Sequence, residues 1–363
     1  MITPTDPAEE PAFSQMGLLG ARHRTTLLSF PRAFARLVIM DIPIARLFAQ
    51  EDGMRMDQGF SETDGTWQTV HALPETRLRG QVLGYRGYRL NLRRPRRRLE
   101  VPTDALTVTF GFEGSLQLTD AVLGGPVVPL SSMVAGLRRT ATVAEHSGSL
   151  SGVAVSLTPQ AAYGVFGPAV AELGDQWVDI RQLLRRQERH LAEQLADADG
   201  WDARHALLDA FFAARLSAGH QWAPSVTAAW HEIRRTAGAV PVQQLAELTG
   251  WSRRRLELRF REQLGMPPKQ VAQILRLQRT LAAFDASPGS SGAQIAAECG
   301  FYDQAHLDRA FRAMVGHTPR DFLRQRGRPA RAEPTDRLAG QVTSVVLAAR
   351  SARNTRGAGA PQP

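Results

Sequence analysis

One run of helical signals occurs twice in this chain. LAELTGWSRRRLELRFREQLGMPP, Leu245 to Pro268, returns in outline as IAAECGFYDQAHLDRAFRAMVGHTP, Ile295 to Pro319. Leu245, Ala246, Gly250 and Trp251 match Ile295, Ala296, Gly300 and Phe301 at a spacing of 50. Leu256, Phe260, Gly265 and Pro268 match Leu307, Phe311, Gly316 and Pro319 at 51, so one residue is inserted in the turn. Each copy has to fold as a short helix, a glycine turn and a second helix, because apolar residues recur three and four apart on either side of the glycine.

In the first copy Val242, Leu245, Ala246 and Leu248 form the apolar face before Gly250, where positive φ lets the chain break direction. Ser252 is placed to cap the next helix. Leu256, Phe260 and Leu264 point inward, which leaves Arg253, Arg254, Arg255, Glu257, Arg259 and Arg261 outside. A helix whose exposed first turns are arginines suits a DNA major groove, with the preceding helix across the backbone. The second copy keeps Ile295, Ala296 and Cys299 inside, then Leu307, Phe311 and Val315. It presents Gln304, His306, Asp308, Arg309 and Arg312; His306 reads equally as a base contact or as a solvated histidine. Between the copies, PPKQVAQILRLQRTLAAFDA predicts a proline-initiated helix with Val271, Ile274, Leu275, Gln278, Leu281 and Ala282 on one face. Its length of about 25 Å can set the two units near one duplex turn, about 34 Å, apart.

Charge agrees with this layout. The 363 residues hold 44 Lys plus Arg against 35 Asp plus Glu, a formal +9, and Lys269 is the sole lysine. Guanidinium forks onto phosphates and guanine edges, although arginine in place of lysine also follows from a GC-rich genome. Distribution separates the two readings: Glu232 to Arg328 holds sixteen basic and nine acidic residues, +7 of the +9, where phosphates would lie.

The remainder predicts an α+β chain. From about Gln68 to Leu157, short β-prone runs separated by Gly, Pro, Asp and Ser predict a small antiparallel β-sheet or barrel. After Pro159 helical spacing takes over, in TPQAAYGVFG, WVDIRQLLRRQERHLAEQL and WDARHALLDAFFAARL. The last of these would carry Leu207, Leu208, Phe211, Phe212 and Leu216 on one side. The expected organisation is a poorly ordered extension over 1–65, a β-rich sensor and dimerisation domain with C-terminal helices over 66–220, and an all-α domain over 226–326. That last domain holds two helix-turn-helix units joined by the long linker helix. A disordered tail over 327–363 follows, with a short helix through QVTSVVLAAR. Met54 and Met56 offer alternative starts. The single cysteine, Cys299, excludes an internal disulfide and a multi-thiolate zinc site and reads as a core residue. No apolar run approaches the roughly 18 to 20 residues of a membrane span, nor is a signal peptide evident, so a cytoplasmic protein is expected.

On these residues, and above all on IAAECGFYDQAHLDRAFRAMVGHTPRDF, the segment from about Val226 to Arg326 resembles the DNA-binding domain of the AraC/XylS family of bacterial transcription regulators. The resemblance implies one helical domain that binds an asymmetric site through adjacent major grooves. By motif position it places Arg254, Glu257 and Leu258 against bases from the first recognition helix, and Ala305, His306 and Arg309 from the second. Ser252, Arg253, Arg255, Arg259, Gln304 and Arg312 complete the expected DNA-binding set. Leu258 departs from the pattern, since the family commonly has arginine there. The first helix would then read through Arg254 and Arg255, leaving Leu258 to a thymine methyl or to packing. The stretch Tyr85 to Leu216, especially VAGLRRT and SLTPQAAYGVFG, is similar to N-terminal domains of actinobacterial members.

The expected partners are double-stranded DNA, RNA polymerase, a small-molecule effector and a second copy of the chain, with no membrane, no cofactor and no metal. The function so implied is sequence-specific regulation of transcription, by activation or by repression, with activator as the term for the class. An effector pocket is expected in the mouth of the β-barrel, near Tyr88, Phe110, Phe112, Arg138 and His146, each of which also reads as core or surface. The run RRPRRR, Arg93 to Arg98, reads as a solvated loop, or as a contact to DNA or an acidic effector. An enzyme fused to a DNA-binding module is the second reading. Against it, His71, His146, His190 and His205 lack metal-ligand spacing, HEIRR lacks the second histidine of a zinc protease, and neither a nucleophile motif nor a phosphate loop is present. A nonspecific nucleic-acid binder is the third.

Overall fold

SLSGVAVSL, Ser149 to Leu157, is buried along almost its whole length, which a strand reaches only when both of its faces are covered. The computed structural model describes residues 54–61, 65–184, 190–287, 289–326, 336, 338 and 341–347, and this segment is the central strand of its larger sheet. The strands are β1 (Arg55–Ser61), β2 (Gly65–Ala72), β3 (Val82–Leu92), β4 (Arg96–Glu100), β5 (Leu106–Glu113), β6 (Leu116–Asp120), β7 (Gly124–Leu130), β8 (Met133–Ala135), β9 (Thr142–His146), β10 (Ser149–Leu157), β11 (Trp177–Asp179) and β12 (Ser344–Val346). They form a seven-stranded sheet, β1-β2-β3-β10-β5-β8-β11, and a five-stranded one, β12-β4-β9-β6-β7. Each strand pairing is antiparallel. Leu150 and Ala154 of β10 join Tyr88 and Leu90 in a cluster with Leu116 of the smaller sheet, whereas Val153, Val155 and Leu157 enter the main core with the helices.

The helices are α1 (Pro159–Phe166), α2 (Val170–Leu173), α3 (Ile180–Leu183), α4 (Leu191–Asp197), α5 (Gly200–Ser217), α6 (Pro224–Arg235), α7 (Val242–Thr249), α8 (Arg253–Leu264), α9 (Pro268–Ala286), α10 (Gly292–Glu298), α11 (Gln304–Val315) and α12 (Pro319–Arg326). The fold is therefore α+β, an antiparallel β domain followed by helices, as its signals predict. Two of its hydrophobic cores reach the helix-turn-helix units. The main core runs from the larger sheet through α1, α2 and α5 into the first unit, through Leu245, Leu256, Phe260 and Leu264. A second core joins Leu99, Val101 and Ala141 of the β domain to Ile295, Leu307, Phe311 and Phe322 of the second unit. Linker helix α9 serves both, giving Val271, Ile274 and Leu275 to the first and Leu277 and Leu281 to the second.

Several expectations give way to tertiary contacts. Arg55–Ser61 pairs with β2 in register from Arg55↔His71 to Ser61↔Gly65, so the β domain begins before residue 65; residues 1–53 lie outside the described ones. Within the expected tail, Ser344–Val346 is a strand on β4, with Val342 and Val345 buried, and no helix. Its β-branched residues suit an edge strand better than a helix. The expected helix WVDIRQLLRRQERHLAEQL is broken into β11, α3 and α4, with the Asp179 side chain accepting from the Arg181 N–H at the start of α3. RRPRRR is no free loop: Arg96 to Arg98 lie in β4, Arg97 pairs with Glu145 at 3.1 Å, and buried Arg98 donates to Ser344 Oγ. Leu248 (56% exposed) and Ala282 face solvent, not the core.

Candidate nucleic-acid interface

Both turns are built alike. Gly250 and Gly300 adopt left-handed φ of 66° and 74°, and an added Cβ would meet nothing within 4 Å at either. The requirement is therefore conformational and not steric. After each glycine the next N–H reaches back five residues, Trp251 to the Ala246 carbonyl at 3.1 Å and Phe301 to Ala296 at 2.8 Å, which closes a Schellman-type helix end. The caps then differ. Ser252 Oγ accepts from the Arg255 N–H at 3.3 Å, and Asp303 Oδ1 from the His306 N–H at 2.6 Å. Matching cap to cap identifies the inserted residue as Tyr302, which is 93% exposed. The helix leading into the second turn opens with a capping box between Ser291 and Gln294.

Cap alignment pairs Arg253 with Gln304, Arg254 with Ala305, Arg255 with His306, Glu257 with Asp308, Leu258 with Arg309, Arg259 with Ala310 and Arg261 with Arg312. The third residue past each cap packs on the turn aromatic. The Arg255 guanidinium lies 4.7 Å from the Trp251 ring, and the His306 ring meets Phe301 edge-on at 5.4 Å. One stripe of each helix remains outward: Arg254, Leu258 and Arg261 on α8, and Ala305, Arg309 and Arg312 on α11, all exposed. Among the described residues Arg254, Arg309 and Arg312 form no ion pair. Ser252, Arg253, Glu257 and Gln304 are exposed beside the stripes, and Arg253 Nε donates to Gln243 of α7 at 2.7 Å. Arg259 sits to the side, half-buried and paired with Glu262 at 2.7 Å.

Arg261, read as outward-facing, and Tyr302 were not counted in the expected DNA-binding set, though both are exposed beside these turns. Arg261 lies one turn beyond Leu258, a spacing that would have added it to that set. Tyr302 needed only the observation that the inserted residue has no counterpart to pack against. Cys299 is buried, and burial pushes its thiol up, so it is a core residue.

The expected effector pocket is not where it was placed. The space between the sheets, lined by Tyr88, Arg86, Arg98, Met133 and His146 among others, measures about 40 Å³, little more than one water molecule's share of liquid volume. Phe110 faces the helices, in the main core. Arg138 is committed elsewhere: its Nη2 pairs with Asp120 at 2.9 Å and its guanidinium stacks 3.8 Å from the Trp177 ring. Burial opposes ionisation of Asp120, but hydrogen bonds from Thr140 and the Leu123 and Val122 N–H groups, with Arg138, hold its carboxyl below the usual range. Among the described residues no group of three or more His, Cys, Asp or Glu is placed to hold a metal, and no helix is long and apolar enough to cross a membrane.

Two like-built turns that hold two exposed, arginine-bearing helices define a DNA-binding module of transcription regulators. Residues 245–325 match a family described as a helix-turn-helix domain. No curated protein matches the chain. Among solved structures, ToxT from Vibrio cholerae in its P21 form aligns at 10% identity over 66% of this chain and 97% of that one, with a TM-score of 0.37. Unsaturated fatty acid-bound wild-type ToxT from V. cholerae strain SCE256 aligns at 12% identity over 67% and 95%, TM-score 0.38. The AraC-like transcriptional activator CuxR aligns at 10% identity over 70% and 79%, TM-score 0.23.

Proposed function

We propose that the chain is a sequence-specific transcription regulator that lays α8 and α11 in adjacent major grooves of one DNA site. The observation that carries this reading is the duplicated turn, which leaves equivalent stripes of both helices outward. In the first groove Arg254 reads a purine edge, Leu258 meets a thymine methyl and Glu257 accepts from a cytosine amine. In the second, Arg309 forks onto a guanine while Ala305 and His306 line the groove floor. Arg253, Arg261, Arg312 and Gln304 grip phosphates, as do the first N–H groups of each helix, and Tyr302 lies against the sugar-phosphate backbone. Linker helix α9, with 19 residues, is about 28 Å long and sets the spacing of the two heads. The β domain carries the effector and dimerisation functions, and RNA polymerase is the partner through which binding alters transcription.

Selection of duplexes from a random pool by the full-length chain tests this reading. Two unlike half-sites roughly one helical turn, about 10 base pairs, apart are expected. A pool bound without enrichment, with affinity that merely collapses as salt rises, would leave a nonspecific binder instead.

A further inference from the structure

The two helix-turn-helix units are attached to the β domain in different ways. The first shares the main core with α1 and α2, and a Cβ added to Gly174, just past α2, would lie 2.0 Å from the Gly265 carbonyl oxygen at the end of α8. Backbones that approach so closely leave no room for a side chain between them, which seats this unit directly. The second unit is joined largely through an intermediary. One backbone bond, from the Ala141 N–H to the Met314 carbonyl at 2.7 Å, links it straight to the β domain; residues 341–347 supply much of the remaining junction.

On one side of this stretch Ser344–Val346 pairs with β4. The pairing is extended by the Val101 N–H donating to the Thr343 carbonyl at 3.0 Å and the Leu347 N–H to the Arg97 carbonyl at 2.9 Å. On the other side Val342 and Val345, 6% and 2% exposed, enter the core that holds Ile295, Leu307, Phe311 and Phe322 of the second unit. Polar bonds fasten it. The Arg326 guanidinium, at the close of α12, forks onto Asp336 at 2.7 and 3.2 Å and donates to the Ser344 carbonyl at 3.3 Å. Asp336 also accepts from the Thr343 and Ser344 N–H groups at 2.8 and 3.3 Å. Gln278, midway along α9, donates to the Pro102 and Val342 carbonyls, and Gln341 donates to Asp104 at 3.0 Å. One short stretch is thus bonded to the β domain, the linker helix and the last helix of the second unit.

We propose that residues 341–347, with Asp336, are a strap that fixes the second unit to the β domain and thereby holds the chain to a single half-site spacing. Helix α9 gives the second core Leu277 and Leu281, whereas the strap and the β domain give it Leu99, Val101, Ala141, Val342 and Val345. With the strap released, the second unit keeps its hold on α9 but loses much of its seat. A change of one base pair moves a half-site by about 3.4 Å along the duplex and about 35° around it, more than a seated unit can follow. The consequence for spacing rests on the DNA reading proposed above, whereas the attachment does not.

Amide hydrogen exchange of the full-length chain without DNA tests the attachment, so its failure is distinct from a failure of the DNA reading. Asp336→Ala removes the polar fastening and keeps the apolar contacts of Val342 and Val345; Val345→Asp puts a charge in the second core. Each should speed exchange in α10, α11 and α12 about tenfold while sparing β10 and α8. Competition binding then compares the selected site with versions whose half-sites stand one base pair closer or farther apart. The unaltered chain should lose about tenfold or more on either, and Asp336→Ala should lose clearly less. Exchange in α10, α11 and α12 unchanged in both variants overturns the strap; a spacing penalty unchanged in Asp336→Ala assigns the spacing to α9 and overturns its role in DNA reading.

Discussion

Arg309 and Leu258 occupy the same place in the two units, one able to fork onto a guanine and the other able only to meet a methyl or a sugar. On the proposed reading, this single difference gives the sharper base discrimination to the second helix. Replacing Arg309 with Ala should cost about 1 to 3 kcal/mol on the selected site and far less on random duplex, as read by competition binding; equal losses on both would reduce Arg309 to a phosphate contact. The residues beside them are held by their own turn. Arg255 is stacked on Trp251 and His306 abuts Phe301, so these two side chains lie closer to the turn than the outward stripes do.

At the scale of elements, the two recognition helices share a frame and differ in what they display. α8 carries Arg253, Arg254, Arg255, Arg259 and Arg261, whereas α11 carries Arg309 and Arg312. Arg259 is paired with Glu262 and Arg255 with an aromatic face, which on the proposed reading leaves Arg253 and Arg261 to grip phosphates and Arg254 to the bases. The slope of log affinity against log salt should therefore fall by about 0.9 for each phosphate contact removed. Changing Arg253 and Arg261 to Gln should flatten it more than changing Arg309 and Arg312; equal flattening would contradict the division of labour. Helix α9 ties the units into one body, since its apolar residues are split between the two cores.

For the whole molecule, the strand Ser344–Val346 and the buried histidine of α5 bear on stability. Residues 341–347 close the second core. Gln278 of α9 donates to the Pro102 carbonyl at 2.6 Å and to the Val342 carbonyl at 3.3 Å, and Asp336 accepts from Arg326 and from the Thr343 N–H. A chain ending at Arg326 should melt at a lower temperature, because Leu99, Val101 and Phe322 lose apolar cover; an unchanged melt would mean that the strand contributes little. His205 is stacked on Tyr85 and near Trp201, and burial holds its imidazole below the ordinary value of 6.5, against a weaker upward pull from Asp202 and Asp209. The unfolded chain binds this proton from about pH 6.5 downward while the fold resists it, so stability is whole above that pH and declines as the pH falls through the window. Thermal melts between pH 7 and 5.5 should show this decline, and His205→Phe should reduce it; an equal decline in the variant would place the titration elsewhere.

The tandem helix-turn-helix was legible from the sequence because its signals are local. Glycine, cap and apolar spacing all fall within about a dozen residues, and each acts through contacts along one helix. The outward residues followed from the same spacing, apart from Tyr302, whose exposure comes from an insertion, and Arg259, which Glu262 draws aside. The β domain was legible as a class of structure but not as an arrangement. Strand order, the burial of Arg98 and the return of the chain to β4 depend on pairings such as Arg98 with Ser344, 246 positions apart. The strand Ser344–Val346 is the clearest case, since its contacts exist only once β4, α9 and α12 are packed. By itself the sequence determined the two helix-turn-helix units and the residues their second helices turn outward. Only the tertiary structure decided what lies between the elements, because a shared core and its strand partners belong to surfaces brought together by packing and to no single stretch of chain.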